Sequence, residues 1–130
     1  MFRNFILTLL LILFSGTAQA QPFAAQSRVM VQPLAGGSFA VPASGRFGAR
    51  GAWCAAADYA MTALGKSGTT RVYVQQTAAT RNAPVIFGLD PAGASPVAVF
   101  STGAALRAPG SNLSIDHAIQ FCTDARLSNN

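Results

Sequence analysis

The residues of this chain that could perform covalent chemistry are two cysteines and one histidine. Cys54 lies in the stretch GAWCAAADYA beside the only tryptophan, and His117 and Cys122 lie in SIDHAIQFC. If Gly51 caps a helix, Cys54 occupies its first turn, where the helix dipole favours the nucleophilic thiolate. A cysteine at a helix start with a downstream histidine as base is the arrangement of papain-like and related cell-wall hydrolases. One hypothesis is therefore a Cys–His hydrolase of cell-wall peptides that uses Cys54 and His117.

A disulfide between Cys54 and Cys122 is the competing interpretation of the same residues. Two cysteines are an even number, and cysteines of exported proteins commonly pair in disulfides that persist. At about 100° per residue, Cys122 shares the apolar face of its helix with Ile115 and Ile119, whereas His117 lies on another side. We favour the disulfide, which would stabilise a domain of this size by about 4 kcal/mol in the chain-entropy treatment.

The composition offers little for other chemistries. One histidine, two cysteines and four acidic residues show no zinc or calcium spacing, so we expect no metal and no cofactor. The formal net charge is +5, and the cations are spread singly along the chain. A basic surface without clusters disfavours nucleic acid as a partner. An anionic envelope component or a secreted protein is the expected partner, and the oligomeric state stays open.

The first twenty residues, MFRNFILTLLLILFSGTAQA, have the pattern of a secretory signal peptide. Arg3 is followed by an apolar run from Phe5 to Phe14 and by a small-x-small cleavage pattern at 18–20. The apolar run is well short of the roughly 20 residues that a transmembrane helix needs, so we expect no transmembrane segment in the mature chain. The sequence thus predicts a signal peptide at 1–20 and a periplasmic or extracellular location.

Periodicity predicts the elements that position the cysteines. A helix is expected over 52–64, with Trp53 and Met61 on its apolar face and Asp58 on the far side. A second helix is expected over 115–126 with Ser114 as its N-cap. Alternation of apolar and polar residues predicts strands at 28–34 and 70–76. A continuous apolar run predicts a strand at 83–89, and shorter strands are expected at 38–41 and 96–101.

These elements predict the domain organisation of the chain. We expect residues 21–27 to be a flexible N-terminal lead and residues 28–130 to be a single α+β domain. The predicted fold is a small antiparallel sheet of three to five strands, with two helices linked by the disulfide.

Three stretches together resemble small uncharacterised exported proteins of alphaproteobacteria: GAWCAAADYA, VIFGLDPAG and SIDHAIQFC. In those proteins a helix containing Trp-Cys-Ala-Ala is followed by a late cysteine. The resemblance covers most of the mature chain and implies an envelope location. It implies no activity and assigns no role to any residue.

We therefore expect a non-catalytic, exported, disulfide-stabilised domain that binds an envelope component. The Cys–His hydrolase is the first alternative. The second alternative is an inhibitor of a secreted hydrolase, which would insert an exposed loop at 44–50 or 104–110 into the enzyme.

Overall fold

The structure, a computed structural model, describes residues 21–45 and 47–127. The predicted signal peptide lies outside these ranges. The described residues form an α+β fold in which helices pack against an antiparallel sheet, so the predicted fold class is confirmed. None of the helices in these ranges has the length and apolar character needed to cross a membrane.

The sheet has six strands within the described residues, more than the three to five that were predicted. Their order is β1-β2-β3-β5-β4-β6, and all neighbours are antiparallel. The strands are β1 Phe23–Ala24, β2 Met30–Pro33, β3 Phe39–Val41, β4 Arg71–Gln76, β5 Val85–Gly88 and β6 Asn112–Ser114. The additional strands β1 and β6 contain two and three residues, which is too short for an alternating pattern to show in the sequence.

Helix α1, Gly48–Thr62, is the longest helix of the described residues and is buried on all sides. Ten consecutive residues, from Gly51 to Ala60, are buried. Because five of these ten are alanines, other elements can approach the helix closely around its circumference. The predicted helix face is therefore wrong in two places, since Asp58 is only 5% exposed whereas Met61 is 40% exposed.

The segment expected to be a flexible lead, residues 21–27, contains β1 and is bonded to α1. The backbone N–H of Gln26 donates to Asp58 Oδ2 over 2.9 Å, and Ser27 Oγ donates to the Gly51 carbonyl over 3.0 Å. A second bond to the Asp58 carboxylate comes from Thr62 Oγ1, over 3.0 Å. These bonds satisfy the buried carboxylate, which otherwise could be buried only at a high cost in free energy.

The predicted helix over 115–126 is divided into three short pieces. Helix α3, Ile115–Ala118, is followed by a 3₁₀ turn, Ile119–Cys122, and by helix α4, Thr123–Leu127. Numbered in chain order, α2 precedes them at Thr102–Ala105. Ser114 caps α3 as predicted, because its side chain accepts a hydrogen bond from the His117 N–H over 3.2 Å.

The strand predicted at 96–101 is not formed as a strand. Within that stretch, Val97 makes one isolated parallel bridge to Ser111, and its N–H donates to the Gly110 carbonyl over 2.9 Å. An apolar run of this length is compatible with several conformations. Here the single bridge of Val97 is the only strand-type pairing within residues 96–101.

An aromatic cluster joins α1 to the middle of the sheet. The ring of Trp53 lies edge-on to Phe87 at 5.1 Å, and Phe39 contacts Tyr59 at 4.6 Å between ring centroids. Burial raises the pKa of Tyr59 above its ordinary value of 10.0. The indole N–H of Trp53 also donates to the Thr102 carbonyl over 3.2 Å, so the core is bonded directly to the first turn of α2.

Candidate functional site

The two cysteines form the predicted disulfide. The sulfur atoms of Cys54 and Cys122 are 2.07 Å apart, and both residues are fully buried. The bond joins α1 to the 3₁₀ turn that precedes α4. With both sulfur atoms bonded, Cys54 has no thiol that could act as a nucleophile.

His117 lies in a cluster of side chains on the surface. It is exposed, and its ring contacts Phe121 at 5.8 Å. The guanidinium carbon of Arg50 lies 5.2 Å from the centroid of the Phe121 ring, and Arg50 Nε forms an ion pair of 2.8 Å with Asp124 Oδ2. The structure therefore brings Cys54 to Cys122 and leaves His117 outside, so the pair required by a Cys–His hydrolase is not assembled.

The two segments considered for an inhibitor are partly enclosed in the fold. Gly48–Arg50 of the first segment belongs to α1. In the second segment, Ala105, Leu106 and Gly110 are buried. Those buried residues are not available for insertion into the cleft of an enzyme. Among the described residues there is also no group of three or more histidine, cysteine or acidic side chains arranged to hold a metal ion.

A groove of about 660 Å³ opens between the segment that follows β4 and helix α2. Residues 77–81 line it from the first segment, and Gly103, Leu106 and Arg107 line it from α2 and the turn after it. We call this the arginine groove. Its volume falls in the range of about 300–1,000 Å³ that is usual for small-ligand sites.

Arg81 and Arg107 are the charged residues of the arginine groove, and both are exposed. Across residues 21–45 and 47–127, neither side chain has a hydrogen-bond or ion-pair partner. By contrast, Arg50, Arg71 and Arg126 are each bonded to another side chain. No acidic residue of the described ranges lines the groove. Its positive charge is therefore not neutralised by the described part of the protein, and it attracts anions.

The remaining lining of the groove is small and mostly uncharged. Five of its residues are alanine or glycine: Ala43, Ala49, Ala78, Ala79 and Gly103. Thr77 and Thr80 supply hydroxyl groups, and Val85 and Leu106 supply apolar surface. This lining leaves room for a ligand to approach the backbone while its anionic groups contact the arginines.

Sequence reasoning missed this site. Its residues come from four separate parts of the chain, and Arg81 and Arg107 look in the sequence like two of many single cations. The one local signal is the stretch TAATR, which directly follows a predicted strand and therefore reads as a loop. Binding residues are frequently found in such loops.

Comparison of the chain with protein-family models, with curated proteins and with solved structures finds no match. No residue role is therefore transferred to this chain from another protein. The arginine groove is assigned from the geometry of the described residues.

Proposed function

We propose that this protein is a non-catalytic, exported domain that binds an anionic component of the cell envelope in the arginine groove. The observation that carries the proposal is that two arginine side chains lie in one cavity and that, among the described residues, neither has a partner and no acidic residue lines the cavity. Export is supported by the signal-peptide pattern at 1–20. A buried disulfide is compatible with an extracellular location.

Guanidinium groups are suited to this binding. Arginine stays charged at any physiological pH and offers several N–H donors in a planar fork that matches carboxylate and phosphate groups. Arg81 and Arg107 are exposed, so a ligand can reach both without displacing an ion pair of the protein. The proposed ligand therefore supplies the negative charge that the groove lacks.

The scaffold around the groove supports binding without a large rearrangement. The disulfide fixes α1, and the Trp53 indole on α1 donates to the Thr102 carbonyl at the start of α2. Helix α2 carries Gly103 of the groove lining. A wall that is already held in place costs less conformational entropy when a ligand binds.

The test compares two variants with equal net charge. Arg81→Ala/Arg107→Ala removes both groove arginines, and Lys66→Ala/Arg126→Ala removes two exposed cations outside the groove. Dye-labelled polyglutamate and polyphosphate serve as probes in fluorescence anisotropy at about 0.15 M salt, where long-range attraction is screened. We expect the wild-type protein and the control to bind at least one probe, and the groove variant to bind it at least about tenfold more weakly.

Two results would contradict the proposal. Equal weakening in both variants would mean that net charge attracts the probes and that the groove has no special role. A wild-type protein that binds neither probe would exclude the anionic ligand altogether.

A further inference from the structure

The backbone directly after β4 leaves hydrogen-bonding groups open on the wall of the arginine groove. Strand β4 ends at Gln76, which pairs with Ile86 of β5. Within the described part of the chain, no hydrogen bond involves the backbone N–H or C=O groups of residues 77–79. Thr77 and Ala78 are nevertheless half-buried. The backbone groups of this segment, directly after the end of β4, are therefore open to hydrogen bonds from a ligand.

The side chains of the groove favour a close approach by another backbone. Ala78 and Ala79 in the wall, and Ala43 and Ala49 in the lining, are among the smallest side chains. Small side chains on the wall leave the backbone of residues 77–79 accessible. Peptides commonly bind proteins by adding a strand to such an open edge, where main-chain hydrogen bonds supply affinity and nearby side chains supply specificity.

The open backbone also separates two kinds of anionic ligand. A phosphate polymer offers negative charge and acceptor oxygens but no N–H donors, so it can satisfy the arginines but not the carbonyl groups of residues 77–79. A peptide offers both N–H donors and C=O acceptors at the spacing of a strand. Aspartate or glutamate side chains on that peptide can then bind Arg81 and Arg107.

We propose that the ligand of the arginine groove is an extended acidic peptide, which pairs with the backbone of residues 77–79 and places carboxylates on Arg81 and Arg107. This inference rests on the proposed function and names the ligand of the same site. The acidic peptide is thereby distinguished from an anionic phosphate polymer, which would use the two arginines alone.

Titration calorimetry with four probes tests the inference on the wild-type chain. The first probe is acetyl-Ala-Asp-Ala-Asp-Ala-amide, and the second has asparagine in place of both aspartates. The third keeps the aspartates but carries N-methyl groups on alternate backbone nitrogens, and the fourth is polyphosphate. We expect the acidic peptide to bind, and each of the two altered peptides to bind at least about tenfold more weakly. Backbone amide NMR signals of Ala78 and Ala79 should shift, and their hydrogen exchange should slow.

The outcomes separate this inference from the proposed function. Equal affinity for the acidic peptide and its N-methylated form would overturn pairing with residues 77–79. Polyphosphate binding that is lost in Arg81→Ala/Arg107→Ala, with no binding of the acidic peptide, would overturn the peptide ligand and leave the proposed function standing. Failure of all four probes to bind would overturn this inference, and failure of the polymers in the anisotropy experiment would overturn the proposed function.

Discussion

Cys54 and Cys122 lie fully buried and bonded to each other, whereas the side chains of Arg81 and Arg107 are exposed and have no partner within the described residues. In the same helix as Cys54, the carboxylate of Asp58 accepts hydrogen bonds from two residues. In the arginine groove the charges and part of the backbone are left unpaired. The interactions of the first region stabilise the fold, and under the proposed function the groups of the second region bind a ligand.

The two regions are connected through one hydrogen bond. Trp53 precedes Cys54 in α1, and its indole N–H donates to the Thr102 carbonyl at the first residue of α2. The disulfide region thus supports one wall of the groove without contributing a charged group to it. The comparison predicts that substitutions in the first region change the free energy of unfolding, and that substitutions in the second change binding.

The largest effect on stability is expected for removal of the disulfide. Cys54→Ala/Cys122→Ala removes a link between residues 68 positions apart in the sequence, which should lower the free energy of unfolding by about 4 kcal/mol. Urea unfolding with a linear extrapolation measures this difference. A loss below about 1 kcal/mol would show that the disulfide is not the main stabilising feature of its region.

The next largest effect is expected for the buried carboxylate of Asp58. Asp58→Ala removes the acceptor for the Gln26 N–H and the Thr62 hydroxyl, and the unpaired donors should cost about 1–3 kcal/mol of stability. Asp90→Ala is the matched control, because Asp90 is exposed and its side chain accepts one local bond from the Ala92 N–H. Similar losses in both variants would contradict the assignment of Asp58 as a structural residue of the core.

A much smaller effect is expected for the surface ion pair near His117. Arg50 and Asp124 are 2.8 Å apart, but their side chains are 52% and 39% exposed, so water and salt weaken the attraction. Asp124→Asn should therefore lower the free energy of unfolding by no more than about 1 kcal/mol. The loss should shrink further when the urea unfolding is repeated in 1 M salt, roughly the concentration at which the Debye length falls to about 3 Å. A larger loss that is independent of salt would contradict this account.

The sequence was informative where a local rule decides the structure. An even number of cysteines and an export pattern predicted the bond between Cys54 and Cys122, which the structure confirms. Strands β4 and β5 lie inside the predicted ranges 70–76 and 83–89, because β4 alternates apolar and polar residues and β5 is a continuous apolar run. In contrast, the buried position of Asp58 could not be read from helix periodicity, since α1 is covered on all sides.

The arginine groove could not be predicted because it depends on contacts between distant segments. Residues 77–81 and Arg107 meet only when α2 is placed beside the end of β4. Whether an arginine has a partner is likewise a property of the folded chain: Arg71 bonds to Asn112, whereas Arg81 does not have such a neighbour in the described residues. The sequence pattern of single, scattered cations is the same for both.

The most direct test of the division between the two regions is urea unfolding of the wild-type protein and of Arg81→Ala/Arg107→Ala, each with and without polyglutamate. Without the probe, the free energies of unfolding should agree within about 0.5 kcal/mol, because neither side chain has a partner to lose among residues 21–45 and 47–127. At about 100 times its Kd, the probe should stabilise the wild-type protein by about 2.7 kcal/mol and leave the variant unchanged. Equal stabilisation of both proteins, or a variant that is already less stable without the probe, would contradict the account.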